Sequence, residues 1–256
     1  MKDKKYKYSG IRRNISQYVL TASRIPVIHE TIEIDIQGLR EFCTQNKVTY
    51  TPVLMKVIAA LREKHPVVNS YVARDITLQK KIFFSDDVDL ALAIEKFEGD
   101  VSFATISVIR NINKKSINTL SAEIKELSAM PYSNMPDSRI RRLLEFCPDF
   151  LKYILISLTM QFSFSFKHLH GTVGMSNLGK YGIKSFDTLF VNNFAYAIGG
   201  IEQKPIVKNG EICVVPSLHI TQTSNHLFVD GAESARILAE LKRIIESGEY
   251  ITICQA

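Results

Sequence analysis

The sequence lacks the patterns that identify several common kinds of protein. Its four cysteines, Cys43, Cys147, Cys213 and Cys254, are scattered without a Cys-x-x-Cys pair, which disfavours both a zinc site and a disulfide framework. No glycine-rich strand-to-helix fingerprint is present, which excludes a dinucleotide-binding parallel sheet. Because no helix-turn-helix, zinc-finger or ribonucleoprotein motif is present either, we expect no nucleic-acid partner.

Long apolar segments are also missing. The start, MKDKKYKYSG, is charged and polar and contains no apolar signal region, so we expect a cytoplasmic protein with reduced cysteines. An uncharged stretch runs from Tyr153 to Phe166, which is short for a membrane span, since ~20 apolar residues are needed. With its flank, segment 151–166 could lie on a membrane surface. We favour instead a buried helix that enters a strand, or a hydrophobic oligomer contact.

The composition is that of an ordinary globular protein. The chain has 256 residues, of which 46% are apolar and 23% charged, enough for one large core. We find no internal repeat or linker and therefore expect a single domain over residues 1–256. The net charge of +6 suits an anionic small ligand such as coenzyme A, and equally no particular ligand.

Hydrophobic periodicity predicts strands and helices in mixed order. We expect strands at 27–36, 68–74, 78–84, 87–95, 101–109, 171–176, 195–201 and 211–224, and helices at 10–24, 38–45, 53–64, 116–130 and 232–247. Thr51 and Pro52 have the residue types of a helix N-cap and first turn. His168 and His170 alternate as on one side of a strand and lack further ligands, so we expect no metal site. This order of elements indicates an α/β fold, a two-layer sandwich of a mixed β-sheet and helices.

The segment SNHLFVDGA, residues 224–232, contains the residues best suited to chemistry. His226 lies at the end of a predicted strand, Asp230 follows four residues later, and Gly231 precedes a helix. The pattern HxxxDG arises by chance on the order of once in a hundred such sequences. The structural alternative is a histidine in a strand-to-helix turn, with Asp230 as the helix N-cap.

This motif resembles the HxxxDG signature of the catalytic domains of 2-oxo-acid dehydrogenase acyltransferases and of chloramphenicol acetyltransferase. The resemblance covers nearly the whole chain in the right order. The stretches that carry it are SGIRRNISQYV, SRIPVIHETIEIDIQGLREF, TPVLMKVIAALREKHPVVNSYV, VDLALAI and GTVGMSNLG. The resemblance implies the chloramphenicol acetyltransferase-like fold and the transfer of an acyl group, other than an aminoacyl group, from a coenzyme A thioester.

The resemblance also implies roles for individual residues. His226 takes the proton from a thiol, hydroxyl or amine acceptor, which suits an imidazole because its ordinary pKa near ~6.5 leaves it largely neutral at physiological pH. Ser176 donates a hydrogen bond to the tetrahedral oxyanion, an interaction commonly worth ~3–4 kcal/mol. Asp230 maintains the site through an ion pair with Arg12. We expect Gly231 to allow a tight turn where a side chain would clash.

Members of this family assemble as homotrimers, and the resemblance implies active sites between subunits, where His226 faces the Ser176 side of a neighbour. The chain lacks the lysine hairpin of a lipoyl domain and a peripheral-subunit-binding domain, so any lipoyl carrier must act in trans. It departs from the family in Asn225 and Leu227, which flank the histidine in place of charged residues. It departs also in a longer and more apolar stretch at 131–170.

Two other functions remain open from the sequence. The chain could be the acyltransferase core of a dehydrogenase complex that works with a lipoyl carrier. It could also be a catalytically silent trimeric scaffold or binding protein, for which the apolar segment 151–166 offers a surface. Retention of His226, Ser176 and Asp230 together favours the enzyme. The acyl chain, the acceptor and any assembly beyond a trimer cannot be read from the sequence.

Overall fold

The structure is a computed structural model that describes residues 10–98, 101–136, 143–208 and 210–255. The strands are β1 (Val27–Asp35), β2 (Ser70–Arg74), β3 (Lys80–Phe84), β4 (Leu90–Glu98), β5 (Val101–Ile109), β6 (Val173–Asn177), β7 (Phe194–Lys208) and β8 (Glu211–Asn225). The α-helices are α1 (Gly10–Ala22), α2 (Gln37–Gln45), α3 (Tyr50–Ala60), α4 (Ile117–Ala129), α5 (Asp149–Gln161), α6 (Ser163–His170), α7 (Gly231–Ser247) and α8 (Tyr250–Gln255).

Six strands form one mixed sheet in the order β1-β8-β7-β6-β4-β5. The pairs β4–β6 and β6–β7 are parallel, and the other pairs are antiparallel. Strands β2 and β3 form a separate antiparallel hairpin. The predicted α/β class is confirmed, because the alternating strand and helix periods of the sequence correspond to a sheet with helices packed on it.

One face of the sheet packs against helices. In β1 the side chain of Ile34 is fully buried, and in β8 those of Leu218 and Ile220 are buried on the same side. Helix α7 buries Ile237 and Leu241 against them, as its apolar stripe predicted. The main apolar core therefore lies between this sheet face and the helices, and it fixes the ends of β6 and β8 relative to each other.

The predicted start of α3 is wrong by two residues. The helix begins at Tyr50, and its N-cap is Thr49 rather than Thr51. The hydroxyl of Thr51 instead accepts a hydrogen bond of 3.1 Å from the side-chain amide of Asn177. The hydroxyl that the local pattern assigned to helix capping therefore bonds instead to a residue at the end of β6, which is distant in sequence.

Segment 151–166 is neither a buried helix nor the entrance to a strand, contrary to the first of the two expectations; the second, a hydrophobic oligomer contact, stays a prediction. It forms most of α5 and α6, which meet at Phe162. Five large apolar side chains of α5 are exposed, namely those of Phe150, Leu151, Ile154, Leu155 and Leu158. Apolar content alone did not determine burial, because burial depends on which elements pack against the helix. Within the described part of the chain, no helix is long and apolar enough to cross a membrane.

The two histidines expected on a strand lie in a helix. His168 and His170 belong to the last turn of α6, where a spacing of two places side chains on different sides. The side chain of His168 is exposed, whereas His170 is buried and its Nε2 lies 3.1 Å from the hydroxyl of Thr159. The predicted element was therefore wrong, and the two side chains lie in different environments.

Candidate active site

His226 lies in a turn that follows β8 directly. Its backbone N–H donates a 2.9 Å hydrogen bond to the carbonyl of Pro26. The side-chain oxygen of Asn225 accepts from the N–H of Leu227 at 3.1 Å, and the carbonyl of Asn225 accepts from Val229 at 3.2 Å. The turn is thus fixed by its own asparagine and by the loop that precedes β1, so the histidine has a defined position.

Asn225, in which the sequence departs from the family, holds the turn that carries His226. Its side chain is buried, and its amide donates to the side-chain oxygen of Asn193 at 3.3 Å. Its backbone N–H donates to the carbonyl of Asn193 at 2.9 Å. An asparagine can donate and accept at once, which a carboxylate cannot. The preference of asparagine for turns was the signal that could have identified this role.

The ring of His226 has a defined tautomer. Its Nδ1 lies 3.0 Å from the carbonyl oxygen of Val229. Because a carbonyl oxygen only accepts hydrogen bonds, Nδ1 carries the proton and Nε2 keeps its lone pair. The side chain is 47% exposed, so part of the ring faces solvent. This arrangement orients the imidazole without a carboxylate.

Asp230 is close to the ring without forming a hydrogen bond to it. Its Oδ1 lies 3.9 Å from Nδ1 of His226, and its side chain is 94% exposed. It occupies the N-cap position of α7 but makes no side-chain capping bond; its backbone carbonyl accepts from Glu233 and Ser234 at 3.0 Å each. Asp230 can therefore stabilise an imidazolium only weakly within one chain, since the pair is exposed to solvent.

The expected ion pair between Arg12 and Asp230 is wrong within the described chain. The guanidinium of Arg12 donates to the carbonyl of Ser102 at 3.3 Å, at the start of β5. Strand β5 is at one edge of the sheet, whereas the turn after β8 is next to β1 at the other edge. Helix α1 runs between the two regions, so its N-terminal arginine is directed away from the histidine.

The expected role of Gly231 is also wrong within the described chain. A Cβ atom built on Gly231 meets no atom within 4 Å, and the residue is not among the glycines with positive φ. It is the first residue of α7, a position that most residues can occupy. A side chain would therefore cause neither a clash nor backbone strain.

Ser176 is far from His226 in the same chain. Ser176 pairs with Ala197 of β7, and Ala197 pairs with Thr221 of β8. His226 lies five residues beyond Thr221, so strand rises of ~3.3 Å and two strand spacings of ~4.8 Å give a separation of about 19 Å. One copy of the chain therefore does not bring the predicted base and oxyanion donor together.

The sheet face that carries Ser176 is polar. On β1 and β8, the hydroxyls of Thr31 and Thr221 lie 2.8 Å apart, and Nδ1 of His29 lies 2.9 Å from the hydroxyl of Thr223. This polar row was not predicted, although the odd-numbered residues of SLHITQTSN (217–225) are all polar. Period-two alternation of that kind indicates a second face with its own contacts.

Three potential metal ligands do lie together on this face. One ligand atom from each of Glu33, Glu202 and His219 falls within 4.8 Å of the others. However, Glu33 is paired with Lys204, and Glu202 is paired with Lys184 at 2.8 Å. These lysines lower the pKa of both carboxyls. Because a cation would have to displace two ammonium groups, we do not assign a metal to the cluster.

Two of the cysteines are unsuited to nucleophilic chemistry. Burial raises the pKa of Cys43 to about 12 and that of Cys254 to about 11. Both side chains therefore remain thiols near neutral pH, and a thiol is a weak nucleophile compared with a thiolate.

The sequence model of a known family matches most of the chain. It is the 2-oxoacid dehydrogenases acyltransferase (catalytic domain) family, and the match covers residues 1–133 and 159–253. The chain belongs to this family. The unmatched residues 134–158 contain most of α5. They lie within the stretch 131–170, in which the sequence departs from the family.

Curated relatives share the family but are longer. The dihydrolipoyllysine-residue acetyltransferase component of the pyruvate dehydrogenase complex from Rickettsia prowazekii is 26% identical over 253 residues, which cover 93% of this chain and 53% of that protein. The corresponding Bacillus subtilis protein is 25% identical over 261 residues, which cover 96% and 50%. The chain thus spans about half the length of the curated relatives it matches.

Solved structures confirm the predicted chloramphenicol acetyltransferase-like fold. The dihydrolipoamide acetyltransferase of Azotobacter vinelandii superposes with a TM-score of 0.74 at 18% identity, covering 98% of this chain and 94% of that one. A chloramphenicol acetyltransferase superposes with a TM-score of 0.51 at 14% identity, covering 93% and 94%. The Azotobacter structure comes from work on a serine, a histidine and an asparagine in that enzyme's catalytic mechanism.

Proposed function

We propose that the chain transfers an acyl group from coenzyme A, or from another thioester, to a thiol, hydroxyl or amine acceptor. The observation that carries the proposal is the hydrogen bond from Nδ1 of His226 to the carbonyl of Val229. It leaves Nε2 as an oriented proton acceptor in the HxxxDG turn, which is the requirement for general-base catalysis.

In the proposed reaction, Nε2 of His226 removes the proton from the acceptor as the acceptor attacks the thioester carbonyl. A new bond forms from the acceptor to the acyl carbon, and the carbonyl oxygen becomes an oxyanion. Ser176 of a second copy donates its hydroxyl hydrogen bond to that oxyanion. Collapse of the intermediate breaks the carbon–sulfur bond, and the imidazolium returns its proton to the departing coenzyme A thiolate. No covalent acyl-enzyme is required.

We propose that the active assembly contains at least two adjacent copies. The separation of about 19 Å between Ser176 and His226 in one chain supports this proposal, because the register of β6, β7 and β8 fixes it. A related solved structure is that of the cubic core of a pyruvate dehydrogenase complex. A ring of identical subunits with heterologous contacts would place the histidine of each copy against the serine of the next.

The names of the curated relatives favour one acceptor. They are dihydrolipoyllysine-residue acetyltransferases, so we propose a dihydrolipoyl group on a separate carrier as the first acceptor to examine. Small alcohols and amines are the alternative acceptors. Parallel assays with dihydrolipoamide and with a panel of these compounds would separate the two possibilities.

The test is thioester turnover with acetyl-CoA and longer acyl-CoAs, followed as release of free thiol. We expect His226→Gln to lower kcat by 10²-fold to 10⁴-fold, roughly the contribution of a general base. His168→Gln is the matched control, because that histidine is exposed in α6, and it should retain wild-type turnover.

Two results would contradict the proposal. Turnover that survives in His226→Gln would exclude the histidine as the base. Absence of thiol release from every donor, together with no binding of coenzyme A, would favour a catalytically silent scaffold. Binding can be measured by calorimetry, so a missing acceptor would not be mistaken for a missing function.

A further inference from the structure

A pocket of about 430 Å³ opens beside the turn that carries His226. Six regions of the chain form it: the end of α1 with the loop after it, the β2–β3 hairpin, α5, α6, the loop before β7 and the turn after β8. Asn225, Leu227 and Phe228 line it, so the pocket adjoins the histidine directly through the backbone. It is large enough for a small organic group.

The charged side chains that line the pocket are positively charged. Arg24, Arg74 and Lys80 line it, and no acidic residue is among the described residues that do so. Arg24 donates to the hydroxyl of Tyr153 and lies 5.0 Å from the centre of its ring. Lys80 lies 5.8 Å from the centre of the Phe228 ring. These two cations interact with neutral groups, so their charge is not neutralised inside the pocket.

The remaining wall combines apolar surface with polar groups. Val72, Met160 and Phe166 contribute apolar side chains. Ser157 also lines the pocket, and its hydroxyl is buried without a hydrogen-bond partner among the described residues. Buried hydroxyls are normally satisfied, so this one is an unsatisfied polar group in the wall of the pocket. Cations at an apolar cavity with a free hydroxyl suit an anion at the end of an apolar chain.

One wall of the pocket is a feature that the family model does not describe. Tyr153 and Ser157 lie in the unmatched residues 134–158. Tyr153 also holds Arg24 in place through its hydroxyl and ring. The unmatched helix therefore supplies both a wall and the positioning of one cation. This wall, which the family model does not match, lies next to the turn of His226 and can therefore affect which substrate binds there.

We infer that this pocket binds a carboxylate or phosphate of the acyl donor and gives the chain a preference for donors that carry such a group there. The inference rests on the proposed function for the meaning of that preference. The anionic group has two chemical sources, namely a terminal carboxylate on the acyl chain or the phosphates of coenzyme A. Binding of the anion itself does not require turnover.

The experiment compares Lys80→Gln and Arg74→Gln with wild type. Lys125→Gln is the matched control, since it removes the same charge from an exposed position on α4. Lys80→Gln is the decisive variant, because Arg74 also donates to the carbonyl of Leu78 at 2.9 Å and supports its hairpin. Kinetics use succinyl-CoA and butyryl-CoA, which have four-carbon acyl groups with and without a carboxylate. Calorimetry measures the binding of coenzyme A and of pantetheine, which lacks the nucleotide.

If the pocket binds an acyl carboxylate, Lys80→Gln should lower kcat/KM about fivefold to tenfold for succinyl-CoA and leave butyryl-CoA unchanged. If it binds a coenzyme A phosphate, kcat/KM should fall equally for both donors. Coenzyme A binding should then weaken, while pantetheine binding should not. No change in either measurement relative to Lys125→Gln would overturn the inference. Weakened coenzyme A binding in a protein without turnover would preserve the pocket while contradicting the proposed function.

Discussion

At the scale of single residues, the histidine turn depends on backbone carbonyls more than on charged side chains. The carbonyl of Val229 sets the tautomer of His226, and the carbonyl of Pro26 accepts its N–H. In many sites a carboxylate performs the first task. Here Asp230 is exposed and 3.9 Å away. We therefore assign the orientation of the base to the turn itself.

Gly231 provides a direct test of the turn at this scale. Since a Cβ there meets open space, Gly231→Ala should not reduce stability and should stabilise α7 by roughly 0.5–1 kcal/mol through lower backbone entropy in the unfolded chain. Urea unfolding of the two proteins measures the difference. A loss of assembly with unchanged subunit stability would show instead that a neighbouring copy requires the glycine.

Lys152 is a second residue with a defined expectation. Its side chain is fully buried, and its Nζ has no hydrogen-bond partner among the described residues; the nearest carboxylate, that of Asp149, is 3.7 Å away. Burying an ammonium group with so little compensation is costly. Lys152→Met should therefore raise the free energy of unfolding by about 1 kcal/mol, whereas Lys125→Met on the surface should change it little. A marked fall for Lys152→Met would contradict this account.

At the scale of elements, charged side chains connect α7 to its neighbours. Glu240 accepts from Lys64, which follows α3, at 2.7 Å and from Arg243 at 2.8 Å. Arg243 also binds Glu249 beside α8 at 2.6 Å. The network joins three helices of the layer that covers the sheet. The hydrogen bond from Arg243, followed by that from Lys64, lowers the pKa of Glu240 to about 2.

This lowered pKa predicts a pH-dependent contribution to stability. A carboxylate whose pKa is lower in the folded state contributes fully above its unfolded value near 4.5, and the contribution is lost as the pH falls toward 2. Glu240→Gln should therefore be less stable than wild type at pH 7, and the difference should shrink between pH 4.5 and pH 3. Urea unfolding across this range is the measurement. Glu211→Gln, at the exposed start of β8, should show no such trend, and a pH-independent difference for Glu240→Gln would contradict the assignment.

At the scale of the whole molecule, the sheet separates residues that the chemistry needs together. Ser176 is near the end of β6, and His226 follows the end of β8, which lies two strands away and points in the opposite direction. The sheet register leaves no freedom to bring the two residues closer. The site is therefore expected to be completed by a second copy. In such an assembly the polar face around Thr221 and Thr31 would lie beside the reacting groups.

Complementation between two inactive variants tests this arrangement. His226→Ala and Ser176→Ala should each be nearly inactive alone. Refolded together at equal amounts, they should recover up to about a quarter of wild-type turnover, since that share of random interfaces pairs an intact histidine with an intact serine. If mixtures remain as inactive as the separate variants, or if a stable monomer of the wild type is fully active, the site is contained within one copy.

The elements that the sequence predicted well are those with strong local periodicity. The stripe of α7 and the alternation of β1 appear in the structure close to the predicted bounds, because each period is imposed by the geometry of its own element. The apolar stretch in α5 was misjudged, since burial depends on neighbouring elements that periodicity does not describe. Arg12 was misassigned for a similar reason: a position in an alignment does not give the direction of a helix.

The sequence by itself determined which chemical groups are available: the histidine of the HxxxDG turn, the serine of the β6 strand and the family to which they belong. It also determined most of the strands and helices with strong periodicity, but not α5, α6 and α8. Only the tertiary structure decided that Val229 fixes the tautomer, that the histidine and the serine are far apart in one copy, and that three cations converge beside the turn. These properties depend on contacts between segments distant in sequence, and such contacts arise only when the sheet register and helix packing are set.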